Sequence, residues 1–273
     1  MSRPPREPDR GCDLGVVFAL AIEADAFERR VTNRVALRGA GTTFHAGTIA
    51  GARVAWCICG MGGVAAGRAA GLLIDGHRPQ SLATAGFAGG LDPALPRGCI
   101  VRPTAVTTEM AGPRFPLARV AAAADAAEHL VVSVSEVVAT VAAKRALAAR
   151  TGAAIVDMET QAVAAVAAAA GLPCFGVRVV SDDAAQNLPA EVAALARPQS
   201  VFHRLGAFVG AVGRRPGAAL DLWRLYEHAV VDGRTLAAAL ERLCGELAGG
   251  AAVTVGRPAA ARADSAADPR PRL

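Results

Sequence analysis

The sequence predicts an α/β fold, with helices packed on a buried sheet that is largely parallel. Short apolar runs alternate with helical stretches along most of the 273 residues. Hydrophobic residues make up 53% of the chain, which is enough to fill a substantial core. Aromatic residues reach only 4%, so small aliphatic side chains must fill that core, as they do where helices lie closely against a parallel sheet.

The two ends of the chain look different from the rest. Residues 1–12 and about 249–273 carry Pro, Arg, Gly, Ala and Asp without periodicity, so we expect flexible tails. The folded domain is predicted over 13–248. The N-terminal residues lack the apolar core of a secretion signal, and no apolar stretch is long enough to predict a membrane span. A cytoplasmic protein is therefore expected.

The first elements follow from local pattern. The continuous apolar run Leu14 to Leu20 predicts a strand buried on both faces, followed by a helix over 23–30. Two further strands, over 43–49 and 53–58, flank Ala50-Gly51 and predict a hairpin. A glycine-rich corner at 59–64 then precedes a helix over 65–76, which is the order that an anion-binding turn needs.

The middle of the chain repeats this alternation. A strand at 81–85 ends in a second glycine-rich segment, Gly86 to Leu91, and a short strand is predicted at 99–101, whereas 103–128 shows no clear pattern. The next elements are predicted in this order: strand 130–134, helix 137–150, strand 153–156, helix 157–170 and strand 174–180.

The C-terminal region predicts helices that extend beyond the sheet. We expect two or three of them between Ser200 and Leu247, interrupted by Pro216 and again near Asp232-Gly233. Trp223 and Tyr226 fall on one apolar face, and packing against the core or a second subunit is the simplest role for them.

Candidate functional residues lie just after the predicted strands, where ligands bind in open α/β sheets. Four places qualify: Glu23, Gly60-Met61-Gly62, Glu159 and Ser181-Asp182. If the strands are neighbours, three carboxylates face one cleft. Glu159 and Asp157 are also well placed to cap the following helix, which is the favoured role for Asp157, and Asp182 and Asp183 also fit ordinary loop positions.

Other classes of site have weaker support. Ala65 stands where a GxGxxG dinucleotide motif needs its third glycine, although a GxGxxA variant remains open. Lys144 is the only lysine, so no Walker lysine exists, and neither GxSxG nor HExxH is present. Six cysteines and five isolated histidines show no metal-site spacing, so no metal is expected. The formal charge of +5 comes without a basic-aromatic array, so nucleic acid is not expected either.

The order of the strand-end motifs resembles the nucleoside phosphorylase and nucleosidase superfamily, in particular the methylthioadenosine/S-adenosylhomocysteine nucleosidases, over about residues 14–212. The residues that carry the resemblance are Ile155 to Thr160, Gly171-Leu172-Pro173, Val177 to Asp182, the early Glu23, Gly60-Met61-Gly62 and Gly86 to Leu91. The resemblance implies a single three-layer α/β/α domain with a central mixed sheet, nucleoside phosphorylase-like, with extra C-terminal helices. It also implies cleavage of a purine nucleoside's N-glycosidic bond, in a homodimer, without a cofactor.

The resemblance also implies roles for individual residues. Asp182 would protonate the purine at N7, Glu159 would hydrogen-bond the ribose hydroxyls and Glu23 would orient or deprotonate the attacking water. An acid of this kind must hold a proton near neutral pH, which burial or a second carboxylate such as Asp183 would favour. The implied substrate-binding residues are Gly60, Gly62, Gly86, Phe87, Ala88, Val137, Val138, Met158 and Ser181.

Two departures from the superfamily pattern leave alternatives open. Phe87 stands where phosphorylases place a small hydroxyl residue that holds phosphate, so hydrolysis is preferred over phosphorolysis, although Arg68 and Arg178 are candidate anion partners. Val137 and Val138 stand near the place of an aromatic residue that packs on the base. One alternative is therefore a non-catalytic nucleoside-binding protein. The other rests on the segment from Gly86 to Leu95 and the extra helices after residue 212, which resemble a hopanoid-associated phosphorylase-like branch and imply an adenosylated lipid as the substrate. A nucleotide-dependent oxidoreductase is the least favoured.

Overall fold

A computed structural model describes residues 11–39, 41–121, 127–188 and 218–256, the side chains of 218–226 excepted. Its helices are Ala21–Glu28 (α1), Gly63–His77 (α2), Val141–Thr151 (α3), Thr160–Ala169 (α4) and Ala218–Ala248 (α5). Its strands are Leu14–Phe18 (β1), Thr32–Gly39 (β2), Thr42–Ile49 (β3), Ala52–Ile58 (β4), Ser81–Gly90 (β5), Ile100–Val101 (β6), Ala105–Thr108 (β7), Phe115–Pro116 (β8), Ala118–Val120 (β9), Leu130–Ser133 (β10), Ile155–Asp157 (β11), Cys174–Asp182 (β12) and Val253–Val255 (β13).

The main sheet is mixed and is organised around β5. Its strand order is β2-β3-β4-β1-β5-β11-β10-β7-β8, and β12 pairs with both β5 and β6. β5 runs parallel to β1 and β12 and antiparallel to β11, so the carboxyl ends of β1, β5 and β12 meet at one edge. This arrangement confirms the mixed sheet that the resemblance implied.

Helices cover both faces of this sheet. On one face α1 and α5 contribute Phe27 and Leu240 to a buried cluster that also holds Trp56 of β4. On the other face α2 and α4 pack against each other and contribute Leu73 and Val163 to a second cluster. The three-layer α/β/α architecture is therefore confirmed, with alanine and valine filling much of both cores, as the composition indicated.

Most predicted elements are present, and the differences have local causes. The hairpin around Ala50-Gly51 forms as predicted, with Ala50 and Gly51 both at positive φ. β2 was not predicted, because every residue of it is exposed and no alternation of burial marks it. The predicted helix over 137–150 begins at Val141 instead, since the Thr140 side chain accepts a hydrogen bond from the Ala143 amide and caps it there.

Three predictions for glycine-rich and terminal segments were wrong. The strand predicted to end at Ala85 continues to Gly90, so Gly86 to Gly90 are the second half of β5. α5 runs unbroken through Asp232-Gly233, where a Cβ on Gly233 would lie 3.0 Å from the Ile22 carbonyl oxygen, so this glycine allows α1 and α5 to approach. Val253–Val255 forms β13 against β9, inside the stretch predicted as a flexible tail.

Some predictions fall outside the part of the chain that the structure describes. These are the N-terminal tail over 1–10, the region 200–217 with Pro216, the side chains of Trp223 and Tyr226, and the residues beyond 256. Among the described helices, none combines the length and apolarity that a membrane crossing requires.

Candidate active site

A cavity of about 410 Å³ opens at the edge where β1, β5 and β12 end. Glu23, Glu159 and Asp182 all line it, so the three carboxylates predicted from separate strand ends lie around one pocket. Six of the nine predicted substrate-binding residues also line it: Phe87, Ala88, Val137, Val138, Met158 and Ser181. The wall is mainly apolar, with Leu20 and Ile22 on one side and Val134 on another.

The other three predicted residues, all glycines, do not line the cavity. Gly62, at a φ of 99°, donates its amide to Glu159 Oε1 at 2.7 Å. The Gly60 amide donates to the Ala19 carbonyl oxygen at 3.0 Å. The amides of Gly60 and Gly62 therefore bind groups of the chain itself, which corrects for these two residues the prediction that the amides of the corner are free for an external anion.

Glu23 lies in the first turn of α1 and is held by backbone amides. Its Oε2 accepts hydrogen bonds from the amides of Ala19 at 3.1 Å and Leu20 at 2.8 Å, and its Oε1 accepts one from Phe87 at 2.9 Å. Burial raises the pKa of this carboxyl, and the amide bonds oppose that shift. A Cβ on Gly86 would lie 2.6 Å from Oε1, so the carboxylate reaches β5 only because residue 86 is glycine.

Glu159 follows β11 and points into the cavity. It occupies the N-cap position of α4 but makes no capping bond with its side chain, which excludes the capping interpretation for this residue. Burial, and secondly the charge of Asp157, raise the pKa of Glu159 to about 7. A carboxyl with such a pKa exchanges protons easily near neutral pH.

Asp157 does cap α4, as predicted, and it joins the cavity lining to a buried network. Its carboxylate accepts hydrogen bonds from the Thr160 amide at 3.2 Å and from Arg178 Nε at 2.8 Å. Arg178 also donates to Thr84 Oγ1 at 2.6 Å and is only 2% exposed. Arg178 therefore has a structural role and lies outside the cavity lining, as does Arg68.

Asp182 ends β12, where a register shift after Val180 interrupts its pairing with β5. Its Oδ1 accepts a hydrogen bond from Ser181 Oγ at 2.8 Å. Its Oδ2 accepts one from Lys144 Nζ at 2.5 Å, and Lys144 is fully buried. Asp183 turns away and accepts a bond from the Ala185 amide, so the neighbour of Asp182 is a cation and not the second carboxylate that the sequence suggested.

Sequence reasoning missed four residues at the site: Lys144, Arg97, His228 and Asp232. Arg97 joins Asp232 of α5 at 2.8 Å, and both line the cavity with His228. Asp232 Oδ1 is buried without a hydrogen-bond partner among the described residues, and burial raises the pKa of its carboxyl. No sequence signal links 97 to 232, but Lys144 was marked by being the only lysine.

The described residues contain no cluster of three or more His, Cys, Asp or Glu side chains arranged to hold a metal ion. Burial and the charge of Glu159 raise the pKa of the Cys59 thiol to about 12. The carboxyl groups of the cavity can transfer protons and stabilise a developing positive charge.

Comparison with known proteins places these features in a family. The sequence matches the Phosphorylase superfamily over residues 13–207. A 5'-methylthioadenosine/S-adenosylhomocysteine nucleosidase of Pseudoalteromonas translucida is 36% identical over 89 residues. The aligned segment is 33% of this chain and only 38% of that relative.

Solved structures show the same fold over most of the chain. The nucleosidase of the same name from S. pneumoniae, solved with a transition-state inhibitor, has a TM-score of 0.66 at 19% identity and covers 86% of this chain and 99% of that one. The Colwellia psychrerythraea nucleosidase, in complex with adenine, has a TM-score of 0.60 at 25% identity and covers 72% of this chain and 96% of that one.

Proposed function

Because the chain belongs to the phosphorylase superfamily, we propose that it is an enzyme that cleaves the N-glycosidic bond of an adenosine-type purine nucleoside, with water as the acceptor of the sugar. The observation that carries this proposal is the convergence of Glu23, Glu159 and Asp182 on one cavity. Cleavage of this bond needs a proton donor at the leaving base, an anion near the cationic ribosyl group and a positioned nucleophile. Three carboxyl groups meet these needs.

The environment of each carboxyl group supports a distinct role. Asp182 would donate the proton to the purine, since Ser181 and Lys144 fix both of its oxygens. Glu159, whose pKa is about 7, would bind the ribose hydroxyls. Glu23 would accept a proton from the attacking water, because burial makes its carboxylate more basic than usual.

Water is favoured over phosphate by the charges around the cavity. The only arginine among the described lining residues is Arg97, which already pairs with Asp232. Phe87 places a ring where a phosphate-binding hydroxyl would be expected. A phosphate dianion in this pocket would face Glu23 and Glu159 with no unpaired cation from the described lining, which is electrostatically unfavourable.

A second candidate, an enzyme for an adenosylated lipid, is favoured by one observation. Apolar side chains dominate the cavity wall, from Leu20 and Ile22 to Val138 and Leu188. Such a wall suits an apolar substituent on the sugar, and a thioalkyl group and a longer lipid chain share that chemistry. The two candidates differ in the length of substituent that the pocket accepts.

The test is to incubate the protein with methylthioadenosine, adenosylhomocysteine, adenosine and inosine, each with and without phosphate, and to identify both products. We expect free adenine and an unphosphorylated sugar. A sugar phosphate would show phosphorolysis instead. Tight binding in calorimetry without base release would overturn the enzyme and support a binding protein. Activity confined to nucleosides with long apolar substituents would favour the lipid substrate.

Replacement of the proposed acid is the first prediction. D182N is expected to lower kcat by about 10²- to 10⁴-fold, because the amide cannot donate the carboxyl proton. The matched control is D183N, one residue further on, whose side chain accepts a bond from the Ala185 amide and does not line the cavity. D183N should turn over like the wild type. Equal activity of D182N and the wild type would reject Asp182 as the acid.

A further inference from the structure

The chain uses lysine once. Lys and Arg together number 29, and Lys144 is the single lysine among them. This residue is fully buried in α3, whereas long cationic side chains are almost never fully buried unless they are paired. It does not line the cavity, so no role in the proposed reaction has yet been given to it.

The ammonium group of Lys144 has three acceptors, one for each of its N–H bonds. They are Asp182 Oδ2 at 2.5 Å, the Asp183 carbonyl oxygen at 2.5 Å and the Gln186 carbonyl oxygen at 3.1 Å. A lysine has three donors and no acceptor, so this set satisfies it completely. The planar fork of an arginine does not match three acceptors gathered around one point.

Stability alone gives a poor explanation for this buried pair. The desolvation of two charges offsets most of their attraction, and apolar residues of similar size often replace a buried ion pair without loss. The partner of Lys144, however, is Asp182, whose carboxyl group would protonate the leaving base. The location of the pair, between the helix α3 and the end of β12, links the lysine to the reaction.

We propose that Lys144 is a positioning residue that assigns different tasks to the two oxygens of Asp182. This inference rests on the proposed function. Because the Lys144 ammonium can only donate, it occupies Oδ2 as an acceptor. In the protonated form of Asp182 that the reaction needs, the acidic proton is then carried by Oδ1, beside the Ser181 hydroxyl, which can turn its own proton to the Ala88 carbonyl oxygen 3.3 Å away.

The same contact stabilises the product of the proton transfer. As the glycosidic bond breaks, its electron pair goes to the base, the O–H bond at Oδ1 of Asp182 breaks and an N–H bond forms on the purine. Asp182 is left as a carboxylate, and the Lys144 ammonium, which keeps its charge throughout, faces it at Oδ2. A cation held in place before the reaction stabilises this charge without reorganisation.

The test compares two leaving groups in K144M. Adenine must take up a proton as it departs from methylthioadenosine. Nitrophenolate departs from 4-nitrophenyl ribofuranoside without taking up a proton. K144M should lose at least about 100-fold in kcat for methylthioadenosine, with little change in KM, and should keep nearly wild-type rates on the nitrophenyl compound. D182N should show the same selectivity. K144R should not restore activity, because its fork does not fit the three acceptors.

The outcomes separate this inference from the proposed function. If the wild type releases no base from any nucleoside, the proposed function fails and the inference fails with it. If the wild type is active but K144M loses the same factor on both substrates, Lys144 is only structural and the inference alone is overturned. Unchanged kcat for methylthioadenosine in K144M overturns it as well.

A second measurement does not depend on turnover or on the folding of K144M. Protein labelled with ¹⁵N at lysine side chains has one Nζ group, and its NMR signal reports Lys144 alone. A buried, hydrogen-bonded ammonium should give a slowly exchanging signal that shifts in D182N and on addition of adenine. D183N, which keeps the carbonyl acceptor, should leave the signal in place. A signal that is unchanged in D182N would contradict the proposed contact.

Discussion

Glu23 shows at the residue scale how the fold holds a carboxylate that water cannot easily solvate. Three backbone amides satisfy its oxygens, so the group can stay buried although no cation of the described residues is at hydrogen-bond distance. The amides fix its direction, and burial keeps it basic. A group that must accept a proton from water benefits from both conditions.

Glu159 predicts a pH dependence of stability. Its pKa is about 7 in the folded protein and 4.5 ordinarily, so between these values the folded state holds a proton that the unfolded chain has released. The free energy of unfolding should therefore fall as the pH rises through this window, by up to about 1.4 kcal/mol per pH unit for this one proton. E159Q should show a smaller fall, measured by urea unfolding of the ligand-free protein across the window. If the free energy of unfolding changed with pH in the same way in E159Q and the wild type, the raised pKa of Glu159 would be contradicted.

The pair of Asp157 and Arg178 predicts a large loss of stability. Both side chains are buried, so D157A would leave the Arg178 guanidinium without its counterion and should cost about 3–5 kcal/mol of unfolding free energy in urea. The control is D25A, which breaks the surface pair of Asp25 and Arg29, both largely exposed. That variant should change stability by no more than about 1 kcal/mol. Similar losses in the two variants would show that burial does not determine how much an ion pair contributes to the free energy of unfolding.

The sequence predicted the three carboxylates and Ser181 but not all of their neighbours. Glu23, Glu159 and Asp182 were found because each follows a strand. The shared carboxyl edge of parallel strands explains Glu23 and Asp182, whereas β11 runs antiparallel to β5, so its end before Glu159 reaches the cavity from the opposite direction. Lys144 lies in a helix and meets its partner 38 residues further along the chain, so no local pattern reveals the contact. Arg97 and Asp232, 135 residues apart, were missed for the same reason.

At the scale of elements, β5 is the part of the fold on which the site depends. Two glycines in it allow carboxylates to touch its backbone, Glu23 at Gly86 and Asp182 at Gly89, where a Cβ would lie 3.3 Å from Asp182 Oδ2. The strand was predicted to end at Ala85, before the glycine-rich segment, and glycine is rare in strand interiors. The segment is extended here because β11 and β12 both pair with it.

Gly86 provides a prediction for this element. In G86A the new methyl group would meet Glu23 Oε1 at 2.6 Å, which displaces the carboxylate from the Phe87 amide. We expect kcat to fall by at least about 10-fold, since one misplaced hydrogen-bonding group commonly costs that much. G71A in α2 is the matched control, because nothing lies within 4 Å of a Cβ there. It should keep full activity, and a G86A variant with full activity would show that Glu23 tolerates the shift.

The bounds of helices and strands could be predicted from the sequence pattern where burial is periodic. The predictions were wrong where burial is not periodic. α5 was expected to break at Asp232-Gly233, yet Asp232 is buried against Arg97 and Gly233 lies against α1, so tertiary contacts override the low helix propensity of this pair. β2 has no buried residue to mark it and forms only by pairing with β3.

At the scale of the whole molecule, α5 joins the core to the site. Leu240 is fully buried in the cluster between α5 and the sheet, while Asp232 and Ala229 of the same helix line the cavity. L240A should cost about 2–5 kcal/mol of unfolding free energy in urea. V231A, at an exposed position of the same helix, should change it by about 0.5 kcal/mol or less. Equal effects would mean that α5 does not belong to the cooperative core.

The fold class could be predicted because it depends on alternation of strands and helices, which the sequence shows directly. The homodimer and the cytoplasmic location stay predictions, since they depend on surfaces and surroundings that one chain does not contain. The size of the cavity could not be predicted either. It depends on how far α5 and the β10–α3 connection lie from the strand ends, a distance set by packing and not by spacing in the chain.

The position of β5 has a consequence for motion. Residues Leu82 to Ala85 are paired on both edges, with β1 and β12, and Gly89 is paired on both edges with β11 and β12. Amide hydrogens enclosed in this way exchange with deuterium only when the whole domain opens. The part of β5 beneath the carboxylates is therefore as rigid as the whole domain is stable. The slowest hydrogen-exchange rates of the chain then measure the stability of the strand that holds the site in place.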